Sequence, residues 1–121
     1  MLEIASFCQY YTELLVLLYY ILHYQDRHHF RMNISAQIQF IPLHSTKPMA
    51  EVDAAIVLIQ DSGLSYEVGP FGTSVEGPKT AVQNLIDDLL SLTTCKEFLI
   101  NVQYHVGDDR LSNAEKVSKF R

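Results

Sequence analysis

One short segment, residues 63–77, constrains the fold of this chain more than any other, because it combines strand alternation with turn residues. Apolar and polar side chains alternate from Leu64 to Val68, which is the two-residue period of a half-buried strand. In residues 69–72, Pro70 fixes φ and the flanking glycines allow positive φ, so we expect a tight turn there. A second short strand, residues 73–76, follows. The segment therefore predicts a β-hairpin.

Two further strands flank this hairpin at a distance in the sequence. The first begins after Met32 and ends at Pro42, with alternating apolar residues Ile34, Ala36, Ile38 and Phe40. The last strand covers residues 98–106, in which apolar and polar side chains again alternate.

Helical periodicity occupies the intervals between these strands. A helix is predicted to begin at Pro48 and to end at Gly63, with the apolar stripe Val52, Ala55, Ile56 and Ile59. A second helix is predicted to begin at Pro78, with the stripe Val82, Leu85, Ile86 and Leu89. Residues 111–120 predict a short, partly frayed helix.

The resulting order, β-α-β-β-α-β, predicts an α+β fold. It is the ferredoxin-like sandwich, in which two helices cover one face of a four-stranded antiparallel sheet. The other face should carry polar but almost uncharged side chains: Ser35, Gln37, Gln39, Asn101, Gln103 and His105. Such a face indicates a ligand surface or sheet-to-sheet oligomerisation, although a solvated sheet also fits.

Residues 1–31 differ from the rest of the chain, because Glu13 is the only charged residue between Ile4 and Tyr24. Three interpretations of this apolar extension remain open: a membrane anchor oriented by Arg27 and Arg31, a helix that docks on a partner, or a stretch outside the native protein. The apolar run is short for a membrane span, and the flanking charges do not fit a signal peptide. We favour the third interpretation, with a folded domain at residues 32–121.

Composition limits the possible partners. The net charge of −5 makes nucleic acid an unfavourable partner. Cys8 and Cys95 lack CxxC spacing and predict reduced thiols, as in a cytoplasmic protein. His23, His28 and His29 do not have metal-ligand spacing, so we expect neither a metal nor a cofactor.

No catalytic motif for a nucleophile, a zinc site or a phosphate loop is present, so we predict no enzyme activity. Glu76 could be an exposed strand-end carboxylate or a helix cap. It could also bind an aminopyrimidine through a charge-assisted hydrogen bond. Thr73 and Ser74 have the same ambiguity between ordinary strand hydroxyls and ligand donors, and Tyr66 and Phe71 could stack on a flat ring.

The spacing Tyr66-x-x-x-Pro70-x-Gly72-Thr73-x-x-Glu76-Gly77, with Pro42 upstream, resembles the thiamine-binding, YkoF-like family of ferredoxin-like proteins. The resemblance covers residues 32–120. It implies non-catalytic binding of thiamine or its hydroxymethylpyrimidine portion, and assembly into dimers or tetramers through the sheets. By motif position it implies ligand contacts from Tyr66, Thr73 and Glu76.

Three hypotheses follow. The first is a thiamine-binding or pyrimidine-binding protein, in which Gln37 or Gln39 frames the ring beside Tyr66 while Thr73 and Glu76 bind its polar edge. The second is an oligomerising regulatory or structural module without a small-molecule ligand. The third is an oxygenase or isomerase of the same fold, for which His105 is the one evident acid–base residue.

Overall fold

The computed structural model of the chain describes residues 2–29 and 33–121, and the side chains of residues 8–22 and 33–121. The chain divides into two compact units, Met1–Phe30 and Arg31–Arg121. The first unit contains helix α1 (Leu2–His29). In the described part of α1, large apolar side chains from Tyr10 to Leu22 are exposed. The predictions for six residues lie outside the side chains that the structure describes. These residues are Arg27, Arg31, Met32, His23, His28 and His29.

The second unit contains the four strands and the remaining helices. In chain order its elements are β1 (Asn33–Pro42), α2 (Pro48–Asp61), β2 (Ser65–Val68), β3 (Thr73–Pro78), α3 (Lys79–Leu90), β4 (Phe98–His105) and α4 (Asn113–Val117). A 3₁₀ turn, Ser118–Phe120, follows α4. The predicted order β-α-β-β-α-β is confirmed.

The four strands form one sheet in the order β2-β3-β1-β4, and all neighbouring strands are antiparallel. Strand β1 is central, and its residue Ser35 pairs with Glu76 of β3 on one side and with His105 of β4 on the other. These three residues therefore lie in one row across the sheet.

Helices α2 and α3 pack against one face of the sheet. Alternation directs Ile34, Ala36 and Ile38 of β1 into this core, where each is at most 3% exposed. The other core residues come from both helices, from the residue before β2 and from β3: Ala55, Ile59, Leu64, Val75, Val82, Leu85 and Leu89. Burial of this apolar surface supplies the main stabilisation of the sandwich. The predicted fold class is confirmed.

The hairpin turn differs from its prediction in one physical respect. Gly69 N–H donates to Gly72 O at 2.8 Å and closes the turn, but neither glycine has positive φ. The expectation of positive φ at this turn is therefore wrong. Gly72 instead provides space, because a Cβ there would lie 2.5 Å from Gln37 Nε2 and 2.8 Å from Ile38 O. Gly63, which follows α2, does have positive φ, at 77°.

The C-terminal tail (residues 107–121) returns to the sheet face that α2 and α3 leave open. Its helix α4 is capped by Ser112, whose hydroxyl accepts from Glu115 N–H at 3.1 Å. The side chain of Arg110 contacts Ser35 of β1, and Ser35 is consequently only 4% exposed. The open face is therefore partly covered, which the sequence did not predict.

Candidate ligand-binding site

A cavity of about 730 Å³ lies on the open face of the sheet, between the strands and the C-terminal tail. Its floor is formed by polar side chains of β1, β3 and β4, among them Gln37, Ser74 and Gln103. The hairpin turn, including the exposed Phe71, borders one side, and α4 borders another. The volume is within the range of about 300–1,000 Å³ that is usual for small-molecule sites.

Glu76 is the most extensively hydrogen-bonded carboxylate of the cavity lining. Its Oε2 atom accepts from Arg110 Nη1 at 2.7 Å, from Ser35 Oγ at 3.0 Å and from the Asn113 backbone N–H at 3.2 Å. Its Oε1 atom has no hydrogen-bond partner among residues 33–121. One carboxylate oxygen is thus fixed by the protein, and the other is available to a ligand.

The same contacts determine the ionisation of Glu76. Desolvation, the largest single influence, would raise the pKa of this carboxyl. The hydrogen bonds from Arg110, Ser35 and Asn113, together with the positive charge of Arg110, outweigh it and lower the pKa below the ordinary value of 4.5. Glu76 is therefore an anionic hydrogen-bond acceptor at neutral pH.

Arg110 is held in place independently of Glu76. Its Nε donates to Asn33 O at 3.2 Å, and its Nη1 also donates to Leu111 O at 3.2 Å. The side chain is only 7% exposed. A guanidinium with this many partners is a fixed donor, and the simultaneous use of two nitrogens, Nε and Nη1, is possible for Arg but not for Lys.

The floor of the cavity is organised by a second pair of polar side chains. Ser74 Oγ donates to Gln37 Oε1 at 2.7 Å. Because its oxygen is engaged in this way, the Gln37 amide presents its Nε2 group above Gly72. The floor thus offers an amide donor about two residues along the sheet from the Glu76 acceptor.

Two cationic residues of the tail contact opposite walls of the cavity. Lys116 Nζ lies 2.6 Å from His105 Nδ1, and Arg121 forms an ion pair with Glu67 of β2. These contacts tie the tail to both edges of the sheet. Among the described residues, no group of three or more His, Cys, Asp or Glu side chains could hold a metal ion.

Comparison with known proteins identifies the fold family. The family model described as thiamine-binding protein matches residues 36–120. This chain belongs to the thiamine-binding protein family. The predicted resemblance is thereby confirmed, and no curated protein matches this family member.

Three solved structures show the similarity of this thiamine-binding family member to other proteins. A Thermotoga maritima protein with a provisional assignment to thiamine biosynthesis or salvage is 27% identical, with a TM-score of 0.68, over 74% of this chain and 99% of that one. A Bacillus cereus domain of unknown function is 25% identical, with a TM-score of 0.67, over 75% and 92%. A hypothetical Methanocaldococcus jannascii protein, at 18% identity, 74% and 96% coverage and a TM-score of 0.66, shares the fold.

The structure brings some of the predicted ligand residues of this family member together and separates others. Glu76, Gln37 and Tyr66 border the 730 Å³ cavity. Tyr66 does so from the edge strand, but the register pairs it with the buried Val75, so its side chain lies on the helix-covered side of the sheet, opposite to Glu76. Thr73 and Gln39 instead border a second, apolar cavity of about 320 Å³ beside α2. Their contact with a ligand stays a prediction.

Thr73 lies on the side of the sheet opposite to Glu76. It is 4% exposed and shares the helix-covered face with Val75, whereas the intervening Ser74 lies on the open face. Gln39 accepts from Asn101 Nδ2 at 3.1 Å, on the open face but farther along β1. Ser74 is therefore the strand hydroxyl that borders the cavity on β3.

Sequence reasoning missed the contribution of the C-terminal tail, namely Arg110, Asn113 and Lys116. Arg110 is separated from Glu76 by 34 positions and from Ser35 by 75. No periodicity links such distant positions. The only available signal was the absence of any cationic neighbour of Glu76 in the local sequence, which left a half-buried carboxylate without a partner.

Proposed function

We propose that this chain binds thiamine or its hydroxymethylpyrimidine moiety, without catalysis, in the cavity between the open sheet face and the C-terminal tail. The observation that supports this proposal most directly is the hydrogen bonding of Glu76. Its Oε2 atom has three protein donors, while its Oε1 atom has none among residues 33–121. An ionised acceptor held in one orientation suits the amino group of an aminopyrimidine. The chain's membership of the thiamine-binding family supports the same ligand class.

In this proposal the remaining floor residues recognise the rest of the pyrimidine. The Gln37 amide, oriented by Ser74, would donate to a ring nitrogen. The 82% exposed Phe71 would contact the flat faces of the rings from the turn, and Tyr66 would reach the ligand only around the edge of the sheet, from its helix-covered side. Gln39 would contact the ligand from the same open face farther along β1, whereas Thr73, on the helix-covered face, would reach a ligand only from the apolar cavity beside α2.

Isothermal titration calorimetry of the full chain tests this proposal. We expect thiamine or hydroxymethylpyrimidine to bind, and Glu76→Gln to weaken binding about tenfold or more, because it removes a charge-assisted hydrogen bond. Glu67→Gln is the matched control, since Glu67 also borders the cavity but is engaged by Arg121. The proposal fails if neither compound binds, or if the two variants weaken binding equally.

The absence of catalysis is a separate part of the proposal and has its own support. The hydroxyls of Ser35 and Ser74 donate to Glu76 and Gln37, and His105 contacts Lys116 instead of a hydroxyl. Ser35 is thus the one described hydroxyl of the cavity that donates to a carboxylate, and because it is only 4% exposed beneath Arg110, it is not accessible as a nucleophile. Thiamine incubated with the full chain should be recovered unchanged by chromatography, and its conversion would contradict this part.

We further propose that the chain associates into dimers or tetramers through the uncovered end of the sheet. There the register pairs Ile41 with Leu99, which is 52% exposed, next to the uncharged Gln39 and Asn101 pair. An apolar and neutral surface of this kind is typical of an interface. Light scattering should give the mass of two or four chains, and the mass of a single chain at micromolar concentration would exclude this association.

The proposed location is the cytoplasm. Its support is the state of the cysteines: Cys8 and Cys95 are both free, and burial raises the pKa of the Cys95 thiol. Free thiols persist in reducing compartments. None of the helices in the described residues has both the length and the apolar character required to cross a membrane. Nucleic acid remains an unfavourable partner for a chain of net charge −5.

A further inference from the structure

The cavity has a cationic wall that the binding of an aminopyrimidine leaves unused. Lys116 of α4 and His105 of β4 face each other there, with Nζ and Nδ1 at 2.6 Å, and both border the cavity. The contact with the imidazole nitrogen occupies at most one of the three ammonium donors and leaves two others. This wall is therefore able to donate to an anionic group inside the cavity.

Lys116 differs from Arg110 and Arg121, which pair with carboxylates of the cavity lining, in its lack of a carboxylate partner among residues 33–121. The two carboxylates of the lining are both engaged, Glu76 by Arg110 and Glu67 by Arg121. Within residues 33–121, no carboxylate lies within ion-pair distance of Lys116. The chain as a whole has a net charge of −5, so a cation without a carboxylate partner among residues 33–121, in this cavity, is contrary to its overall balance.

The register of the sheet gives the distance between the two ends of the site. Ser35 pairs with Glu76 in one direction and with His105 in the other. Neighbouring strands are separated by about 4.8 Å, so the backbones at Glu76 and His105 are about 10 Å apart. A ligand that contacts both must carry an amino group at one end and an anionic group at the other.

We propose that the ligand of this site is phosphorylated, and that Lys116 with His105 binds its phosphate monoester. The inference rests on the proposed function, because Glu76 must bind the aminopyrimidine for the two ends to be used together. Of the phosphate esters of thiamine and hydroxymethylpyrimidine, only the first meets this requirement, because the second carries its amino and phosphate groups on adjacent ring carbons. Thiamine phosphate carries its amino and phosphate groups at opposite ends, as the spacing of about 10 Å requires.

Calorimetry with four compounds tests this inference: thiamine, hydroxymethylpyrimidine and the phosphate monoester of each. In the full chain, thiamine phosphate should bind about tenfold or more tightly than thiamine, because the ester gains charge-assisted hydrogen bonds. The ester of hydroxymethylpyrimidine is too short to reach both ends of the site and should show no such gain over its alcohol. The preference should diminish as the salt concentration rises, since both groups are partly exposed.

Substitutions in the tail test whether Lys116 causes the preference for the ester. Lys116→Gln should abolish the preference for the ester and leave the affinity for the parent alcohol within about twofold, whereas Lys116→Arg should retain it. Lys119→Gln is the matched control, because it removes the same charge from the tail outside the cavity lining. Circular dichroism should show unchanged helix and strand content in all three variants.

The possible failures are distinguishable. Equal affinities for thiamine and thiamine phosphate, or a preference for the phosphate that survives Lys116→Gln, would overturn the phosphate subsite and leave the proposed function intact. If none of the four compounds binds, the proposed function fails and the subsite fails with it.

Discussion

The carboxylate of Glu76 and the guanidinium of Arg110 meet at 2.7 Å across 34 positions of the chain, and this ion pair joins the C-terminal tail to the sheet. The side chains are only 20% and 7% exposed. The pair therefore has two consequences: it stabilises the packing of the tail, and it fixes the orientation of the acceptor that we propose for the ligand.

Removal of the guanidinium should destabilise the protein measurably. Arg110→Met keeps most of the apolar stem but leaves the half-buried Glu76 without its cation, so we expect a loss of about 2–3 kcal/mol in the free energy of unfolding. Urea denaturation of the full chain measures this loss. Arg121→Met is the control, because its pair with Glu67 is largely exposed and should contribute less than about 1 kcal/mol. Equal losses in the two variants would contradict the account.

The stability of the protein should depend on pH through Glu76. Its pKa is lower in the folded protein than the ordinary value of 4.5, so its ionisation stabilises the fold above that value. This contribution should disappear as the pH falls from about 4.5 through the lower folded pKa. Urea denaturation as a function of pH, compared between the wild type and Glu76→Gln, isolates it. If the free energy of unfolding decreases equally for the two proteins as the pH falls, Glu76 has no such role.

Gly72 should not tolerate a side chain. A Cβ at this position would approach Ile38 O to 2.8 Å, and a backbone carbonyl in a central strand cannot move away cheaply. Gly72→Ala should therefore cost about 1–3 kcal/mol and displace the Gln37 amide from the cavity floor. Gly107→Ala is the control, since its Cβ would have only an ordinary contact at 3.8 Å from Arg110 Cβ. Thermal denaturation compares the two, and a harmless Gly72→Ala would contradict the packing of the turn.

The two neighbouring strand hydroxyls should differ in their effect on ligand affinity. Ser74→Ala removes the donor that orients Gln37 and should weaken thiamine binding about threefold to tenfold, whereas Thr73→Val should change it less than twofold. Calorimetry on both variants measures this difference. If Thr73→Val weakens binding more than Ser74→Ala, the ligand occupies the apolar cavity beside α2, and the proposed position of the site is wrong.

The strands and the two large helices were predictable because their signals are local. Alternation from Ile34 to Ile38 and the helical spacing of Val82, Leu85 and Leu89 depend only on which side chains can be buried together. The same alternation separates Thr73 from Glu76, which we did not predict. Thr73 and Glu76 are three positions apart in one strand, so a two-residue period places them on opposite faces.

The tail could not be predicted in the same way. Its contacts are formed by long polar side chains, and Arg110 meets Ser35 across 75 positions without any local pattern. The requirement for Gly72 was likewise assigned to the wrong cause, because its conformation is ordinary and the constraint comes from Gln37 on a distant strand. Local periodicity determines where helices and strands form, whereas the candidate site depends on which of these elements pack together.

A structure of the full chain with bound thiamine tests the central claim most directly. The account predicts the aminopyrimidine in the cavity between the sheet and the tail, with its amino nitrogen about 2.7–3.2 Å from Glu76 Oε1 and the Arg110 contact to Oε2 unchanged. Thiamine bound elsewhere, or bound there without contact to Glu76, would contradict it.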